Sequence, residues 1–205
     1  MALGTFTDIE SSVVAWLNRE GASDIAANVP DFIDLAQRRI QRDVRVPPME
    51  VVETNISIVG NEFPIPTAML EVKEVIAYDG SCSWPITRGT YATVKQEQLG
   101  SKLGPTVFDT VASNFIFGPG PTGGVSVDIV YYKEIEFIST AQETNWFSMY
   151  APETILYGAL VEAAVYMKDT EQEAKYEEKF KGAIAALKSQ KSNAEYSGRL
   201  QIKSS

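Results

Sequence analysis

From Thr154 to Met167 the chain is apolar at almost every position, and Glu162 is the only charge in that run. A helix so uniformly apolar needs neighbours nearly all the way round. Pro152 and Glu153 suit its first turn, so the pattern predicts a buried helix over roughly 152–168. Past a charged break, Tyr176, Phe180, Ala183, Ile184 and Leu187 recur at helical spacing, with Lys and Glu on the remaining face. That stripe predicts an amphipathic helix from Thr170 to Gln190. At the other end, Ile9, Val13, Trp16 and Leu17 mark a helix over 6–19, with Thr7 as cap, Glu10 three residues on and Gly21 as the stop. A second helix is expected to enter at Pro30. Phe32, Leu35, Ala36, Ile40 and Val44 form its stripe, and Pro47-Pro48 end it.

Between these helices the apolar period shifts from helical to alternating. MEVVETNISIV (49–59), the entry FPIPTAML, LEVKEVIAYDG, CSWPITRG, PTVFDTV, NFIFGPGP and VSVDIVYYKEIE read as about six short strands, with TYATVKQEQLG (90–100) a short helix among them. In the last strand, Val125, Val127, Ile129 and Tyr131 take one face, and Tyr132 the other. The connections are too short for crossovers, so pairing should be mostly antiparallel. The expected fold class is α+β: a four-helix bundle formed by N- and C-terminal helices with an inserted antiparallel β domain. Its segments would be 1–47 and 143–190 for the bundle, 48–142 for the β domain, and 191–205 for a flexible basic tail. The 152–168 helix would lie at the bundle centre, where Gly158, Ala159, Ala163 and Ala164 permit close approach. An assembly interface would bury that helix equally well.

Composition narrows the chemistry. With 205 residues, 44% hydrophobic and 22% charged, there is enough for one domain of normal size or two small ones. The net charge of -9 and pI near 4.6 argue against a broad face that wraps nucleic acid. They suit a path to which DNA must not stick. There is no histidine. That removes the usual Ser-His-Asp and Cys-His nucleophiles, histidine metal ligands and the commonest neutral-pH general base. The one cysteine, Cys82, allows no disulfide within the chain and no cysteine-rich zinc site, and reads as a small apolar residue in a strand. The N-terminal stretch has no signal-peptide pattern, and no apolar run reaches membrane-spanning length. The expected setting is cytosolic or particle-borne, without membrane, metal or cofactor.

What chemistry remains is carboxylate chemistry. Asp31 and Asp34 share a helix face, and Glu134 and Glu136 a strand face. Either pair could serve a carboxylate-based hydrolase or a glycan-binding module. The plainer reading is helix N-terminal acids and a solvated face. The stretch FGPGPTGG (117–124) lacks a Gly-Lys-Ser/Thr ending and precedes a strand, so it reads as a hairpin loop, not a phosphate loop. Trp146-Phe147 reads as a staple onto the long helix. Arg38, Arg39, Arg42 and Arg45 crowd the end of the second helix, and Arg38, Arg42 and Arg45 fall on one face. Helix-end stabilisation with ion pairs, contact with another subunit or partner, and DNA binding are the three readings open to them. The tail carries Lys191, Arg199 and Lys203 against Glu195 alone, so it is basic on an acidic body.

Several segments, taken in order, resemble tailed-bacteriophage head-to-tail adaptor proteins. VPDFIDLAQRRIQRDVRVPPME (29–50) is similar to the family's second helix and exit, a proline entry followed by an alanine-glutamine pair and a basic run. FPIPTAMLEVKEV (63–75) resembles its strand entry. NWFSMYAPETILYGALVEAAVYMKDTEQEAKYEEKF (145–180) resembles its most recognisable part, an asparagine-tryptophan before a proline-marked turn and a tyrosine-glycine-alanine-leucine helix. The resemblance spans about 29–190 and covers structural, not catalytic, positions. It implies a non-enzymatic virion protein at the head-tail interface, present in host cytoplasm during assembly. It also implies a homo-oligomeric ring of twelve copies under the portal protein, joined to a tail or nozzle protein. DNA would pass through its channel without sequence-specific binding. On this resemblance and on composition, Arg199, Leu200, Ile202 and Lys203 are expected to contact the portal. The N-terminal helix and the strand block match no family motif closely, so the tail-side partner stays open.

Overall fold

The computed structural model describes residues 3–17, 23–58, 60–100, 104–120 and 124–196. The chain divides into two compact units, one of Met1–Pro48 with Ile135–Ser205, the other of Met49–Glu134.

The first unit is helical. Helix α1 spans Phe6–Trp16 and is capped by Thr5, whose side chain accepts from Asp8 N at 3.1 Å. Thr7 instead donates through its hydroxyl and backbone N–H to the Glu143 carboxylate. Helix α2 spans Ser23–Asp43 and carries Pro30 well inside it. The expected start at Pro30 is therefore too late. A proline in a helix interior removes one hydrogen bond and costs about 3 kcal/mol. Here its ring is on the exposed side, while Ile25, Val29, Phe32 and Ile33 on either side of it are buried and hold the helix together. Leu35, expected in the stripe, is 45% exposed, and Gln37 and Gln41 are buried in its place.

The short α4 (Trp146–Tyr150) is closed by a reciprocal cap in which Asn145 accepts from Ser148 N and Ser148 Oγ accepts from Asn145 N. The aromatic pair thus begins a helix of its own, with Phe147 buried. Helix α5 (Pro152–Tyr166) follows, with Thr154, Ile155, Leu156, Gly158, Ala159, Leu160, Val161, Ala163 and Ala164 all buried. Its largest side chains each contribute about 1.5–3 kcal/mol by burial. Helix α6 (Thr170–Tyr196) continues past Gln190, where the apolar stripe runs out. Helices α2 and α6 both pack against α5, and α1 packs on α2 and α5.

The second unit holds two four-stranded sheets. Its strands are β1 (Glu50–Ser57), β2 (Glu62–Pro64), β3 (Met69–Tyr78), β4 (Ser83–Pro85), β5 (Thr87–Arg88), β6 (Val107–Val111), β7 (Asn114–Gly118) and β8 (Ser126–Lys133). One sheet runs β1-β8-β3-β4, the other β2-β7-β6-β5. Val127, Ile129 and Tyr131 of β8 join Val75, Ala77, Phe108, Phe115 and Phe117 in one core between the sheets, with Val125 just before the strand. Tyr132 is buried as well, contrary to the in-out expectation, and its hydroxyl donates to Glu50 at 3.0 Å. Cys82 is exposed in the turn before β4, where its N–H donates to Asp79 Oδ1, so it is not a strand core residue.

The expected four-helix bundle with an inserted antiparallel β domain is not what forms. The helical unit contains α1, α2, α4, α5 and α6, and the strand unit contains a sixth helix, α3 (Tyr91–Glu97). Instead of one antiparallel domain there are two sheets, and β5 and β6 pair in parallel. The reason is local. Thr90 caps α3 by accepting from Thr93 N, and Val94 buries against Val107 and Ile116, so the β5–β6 connection becomes a crossover. Among the described residues, no helix is long and apolar enough to cross a membrane.

Candidate interaction site around the arginine helix

The lone charge of α5 has a partner. Arg39 of α2 donates to Glu162 at 3.0 Å and to Glu177 of α6 at 2.8 and 3.1 Å. Its guanidinium lies over the Phe180 ring, 4.7 Å from the centroid. One cation thus ties three helices at a point where all three side chains are about three-quarters buried. Burial opposes the charge on Arg39, but the hydrogen bonds and charges of Glu177 and Glu162 outweigh it and raise its pKa above the ordinary value. Burial likewise opposes the charge on Glu177, and the bond to Arg39 outweighs it, so its pKa is lowered. A charge buried inside a helical core has to be paired in this way. That requirement is the signal in the sequence: Glu162 in an otherwise apolar helix demands a cation from elsewhere.

The opposite side of α2 grips the returning chain. Gln37 donates to Ile138 O at 3.2 Å and accepts from Ile138 N at 2.8 Å. One turn later Gln41 donates to Ile135 O and accepts from Ile135 N. Two side-chain amides therefore act as the strand partner that residues 135–138 lack, and satisfy backbone groups that burial would otherwise leave unpaired. Asn145 donates to Glu136 O at 2.9 Å and to Gln37 at 3.4 Å, which fixes α4 to the same place. Sequence reasoning missed both glutamines. Their spacing of four on the apolar side of α2 was the available clue.

The three arginines assigned to subunit or partner contact separate. Arg38 is 60% exposed, pairs with Asp34 at 2.8 Å and lies over Phe137, 5.3 Å from its centroid. Arg42 is exposed. Arg45 lies beyond the end of α2 and donates back to Gln41 O and Val44 O, carbonyls that the helix end leaves open. Beside them, Arg39 and Asp43 of α2 and Glu177, Phe180, Lys181, Ile184, Ala185 and Lys188 of α6 line an open groove of about 280 Å³, with Lys181 paired to Glu177 at 3.5 Å. Arg199, Leu200, Ile202 and Lys203, assigned to the portal, lie outside the described residues.

The carboxylate pairs do not assemble a site. Asp34 is taken by Arg38, and Asp31 is exposed. Strand β8 stops at Lys133, so Glu134 and Glu136 are exposed residues outside any strand instead of two acids on one face. Among the described residues, no group of three or more Cys, Asp or Glu side chains is placed to hold a metal ion. What the geometry offers is packing, charge and exposed contact surface. A family model described as SU10 adaptor protein matches residues 4–203. A search among curated proteins returns no match to the chain.

Proposed function

Because the chain belongs to the SU10 adaptor protein family, a phage head-to-tail adaptor family, we propose that it forms a ring under the portal and links it to the tail. As an adaptor it is a structural component of the virion. The family match over nearly the whole chain carries this reading. In the proposed assembly twelve copies close the ring, and DNA passes through its channel without sequence-specific contact. The net charge of -9 supports that passage, since an acidic lumen repels phosphates. The basic segment after Gln190, with Arg199, Leu200, Ile202 and Lys203, reaches the portal, while Arg38, Arg42 and Arg45 face a neighbouring subunit or partner. Assembly takes place in host cytoplasm, and a tail or nozzle protein docks on the far side.

Light scattering of the purified chain, alone and mixed with portal rings from the same phage, tests this. Association with the portal in a fixed ratio matching its copy number is expected. A chain that stays monomeric with and without the portal, at every concentration, refutes it.

A further inference from the structure

The strand unit is built in layers, and its two outermost layers are unlike. Along β7, Phe115 and Phe117 enter the core between the sheets, and Ile116 alternates to the other side. There Ile116 and Val107 receive Val94 of α3. The β2-β7-β6-β5 sheet thus has a helix on its outer face. Among the described residues of this unit α3 is the one α-helix, so the β1-β8-β3-β4 sheet has none. Val75, Ala77, Val127 and Ile129 fill the core side of that second sheet, and Ile76, Tyr78, Asp128 and Val130 alternate onto its outer face. Register places Val52 and Glu74 on either side of Val130. Val52 is 59% and Tyr78 41% exposed, while Ile76 and Val130 are half-buried. A sheet face with an apolar strip is normally packed against a further element.

The charges of the two outer layers are complementary after their internal pairs are set aside. On the open sheet face, Lys73 is taken by Glu50 at 2.9 Å and lies over the Tyr132 ring, with Glu71 beside them in register. Glu74 and Asp128 have no basic partner among the described residues, and Asp128 accepts from Asn55 N at 2.9 Å. They are diagonal neighbours on β3 and β8. Such pairs lie about 7–8 Å apart, so one ammonium placed between them reaches both. On α3, Tyr91 and Lys95 are exposed one turn apart, with the Lys95 ammonium 5.4 Å from the Tyr91 ring centroid. Leu99, just past the helix end, is 90% exposed. Lys95 donates to Gln98 and has no acidic partner among the described residues. Glu97 is half-buried and starts toward Gly118, on the sheet side, and Arg88 of β5 is engaged by Asp109 and Thr110.

We propose that α3 of one copy, through Tyr91, Lys95 and Leu99, packs on the open face of the β1-β8-β3-β4 sheet of the next copy, with Lys95 between Glu74 and Asp128. This rests on the ring reading and names the surfaces that mate within it. Exposed apolar side chains and unpaired charges match across the contact. Two α3 faces would bring Lys95 against Lys95, and two sheet faces carboxylate against carboxylate, so neither surface mates with itself. The surfaces lie on opposite sides of one sandwich. A contact between unlike surfaces is head-to-tail, the arrangement that repeats around a ring.

The test uses Cys82, exposed in the turn that joins β3 to β4 at the end of the open face. Chains of native sequence are mixed with chains carrying Gln96→Cys and Cys82→Ser, in the presence of portal rings, and a bismaleimide linker is added. Every residue named in the contact is kept. Positions 74, 82, 95 and 96 are all exposed, so folding is expected to survive, and circular dichroism checks it. A dimer joining the two different chains is expected, with at least tenfold less from either chain alone. Lys95→Glu added to the Gln96→Cys chain should cut that yield tenfold, and Glu74→Lys on the other chain should restore most of it. Assembly on the portal without the mixed dimer, or a mixed dimer indifferent to Lys95→Glu, overturns the proposed contact and leaves the ring standing. Equal yield from either chain alone shows a like-with-like contact and overturns it too. No assembly and no dimer overturns both the contact and the ring.

Discussion

Gly158 sits where α5 comes closest to its neighbours, and replacing it by alanine measures how tightly the three helices fit. A Cβ added there would lie 2.8 Å from Ala36 Cβ, 3.1 Å from Phe180 Cε2 and 3.4 Å from Ala36 Cα. Carbon atoms pack best at about 3.5–4.0 Å, so α2 must move away by about 1 Å. Ala36 is buried and short, and the atoms in the way include helix backbone, so no flexible side chain can absorb the shift. Overpacking of this kind destabilises by about 1–3 kcal/mol. Against it, alanine is the better helix former by about 1 kcal/mol. The net expectation for Gly158→Ala is a loss of up to about 2 kcal/mol, which lowers the melting temperature by up to about 8 °C for a chain of this size. Urea and thermal unfolding followed by helical circular dichroism read this out. The partner substitution Ala36→Gly removes the Cβ that collides. By itself it destabilises by about 1 kcal/mol, as glycine does within a helix. Combined with Gly158→Ala it should recover most of the loss, giving a coupling of about 1 kcal/mol between the two sites. If Gly158→Ala raises stability, or the two changes simply add, the close approach of α2 and α5 is not what selects glycine at 158.

Other features answer to similarly direct measurements. Arg39→Met leaves Glu162 and Glu177 facing a hydrocarbon and each other, and should destabilise by about 2–4 kcal/mol in urea unfolding, with Glu162→Gln at about 1 kcal/mol because the amide still accepts a hydrogen bond. Glu177 has a lowered pKa when folded, so the unfolded chain binds more protons in acid; its contribution is present above the ordinary value of 4.5 and fades as pH falls below it, and Glu177→Gln should flatten that acid limb. Burial and the 2.8 Å bond to Glu53 push the Tyr131 pKa up from 10.0 to about 12. Stability should therefore fall as pH rises between those values, and Tyr131→Phe should remove the dependence. Gln41→Ala strips both partners from the backbone of Ile135, and Gln37→Ala those of Ile138; each should destabilise by about 1–3 kcal/mol, with faster amide exchange at the residue released. Unchanged exchange at both would show that the amides are bystanders.

The sequence by itself determined the bodies of the long helices and the strand-rich middle of the chain. Periodicity placed helices near their observed positions, because a half-buried helix must repeat its apolar residues at 3.6 and a sheet strand at 2. It also placed Val125, Val127, Ile129 and Tyr131 on one buried face, and its lack of histidine bounded the chemistry. The resemblance in residues 29–190 pointed to the adaptor family that the match over 4–203 establishes. Tertiary structure decided the rest. Pro30 lies inside α2 because burial of Ile25, Val29 and Ile33 outweighs a local penalty that propensity alone would treat as a stop. The parallel β5–β6 pair arises because Val94 finds a core against Val107 and Ile116, a contact between residues far apart in the chain. Arg38, Arg39, Arg42 and Arg45 read as one basic run, yet a step of about 100° turns Arg39 alone into a buried three-helix junction, Arg38 pairs with Asp34, Arg42 is exposed, and Arg45 lies past the helix end and turns back to its carbonyls. Local pattern records which residues want burial. Which residues meet there depends on contacts between distant segments, and no local period encodes those.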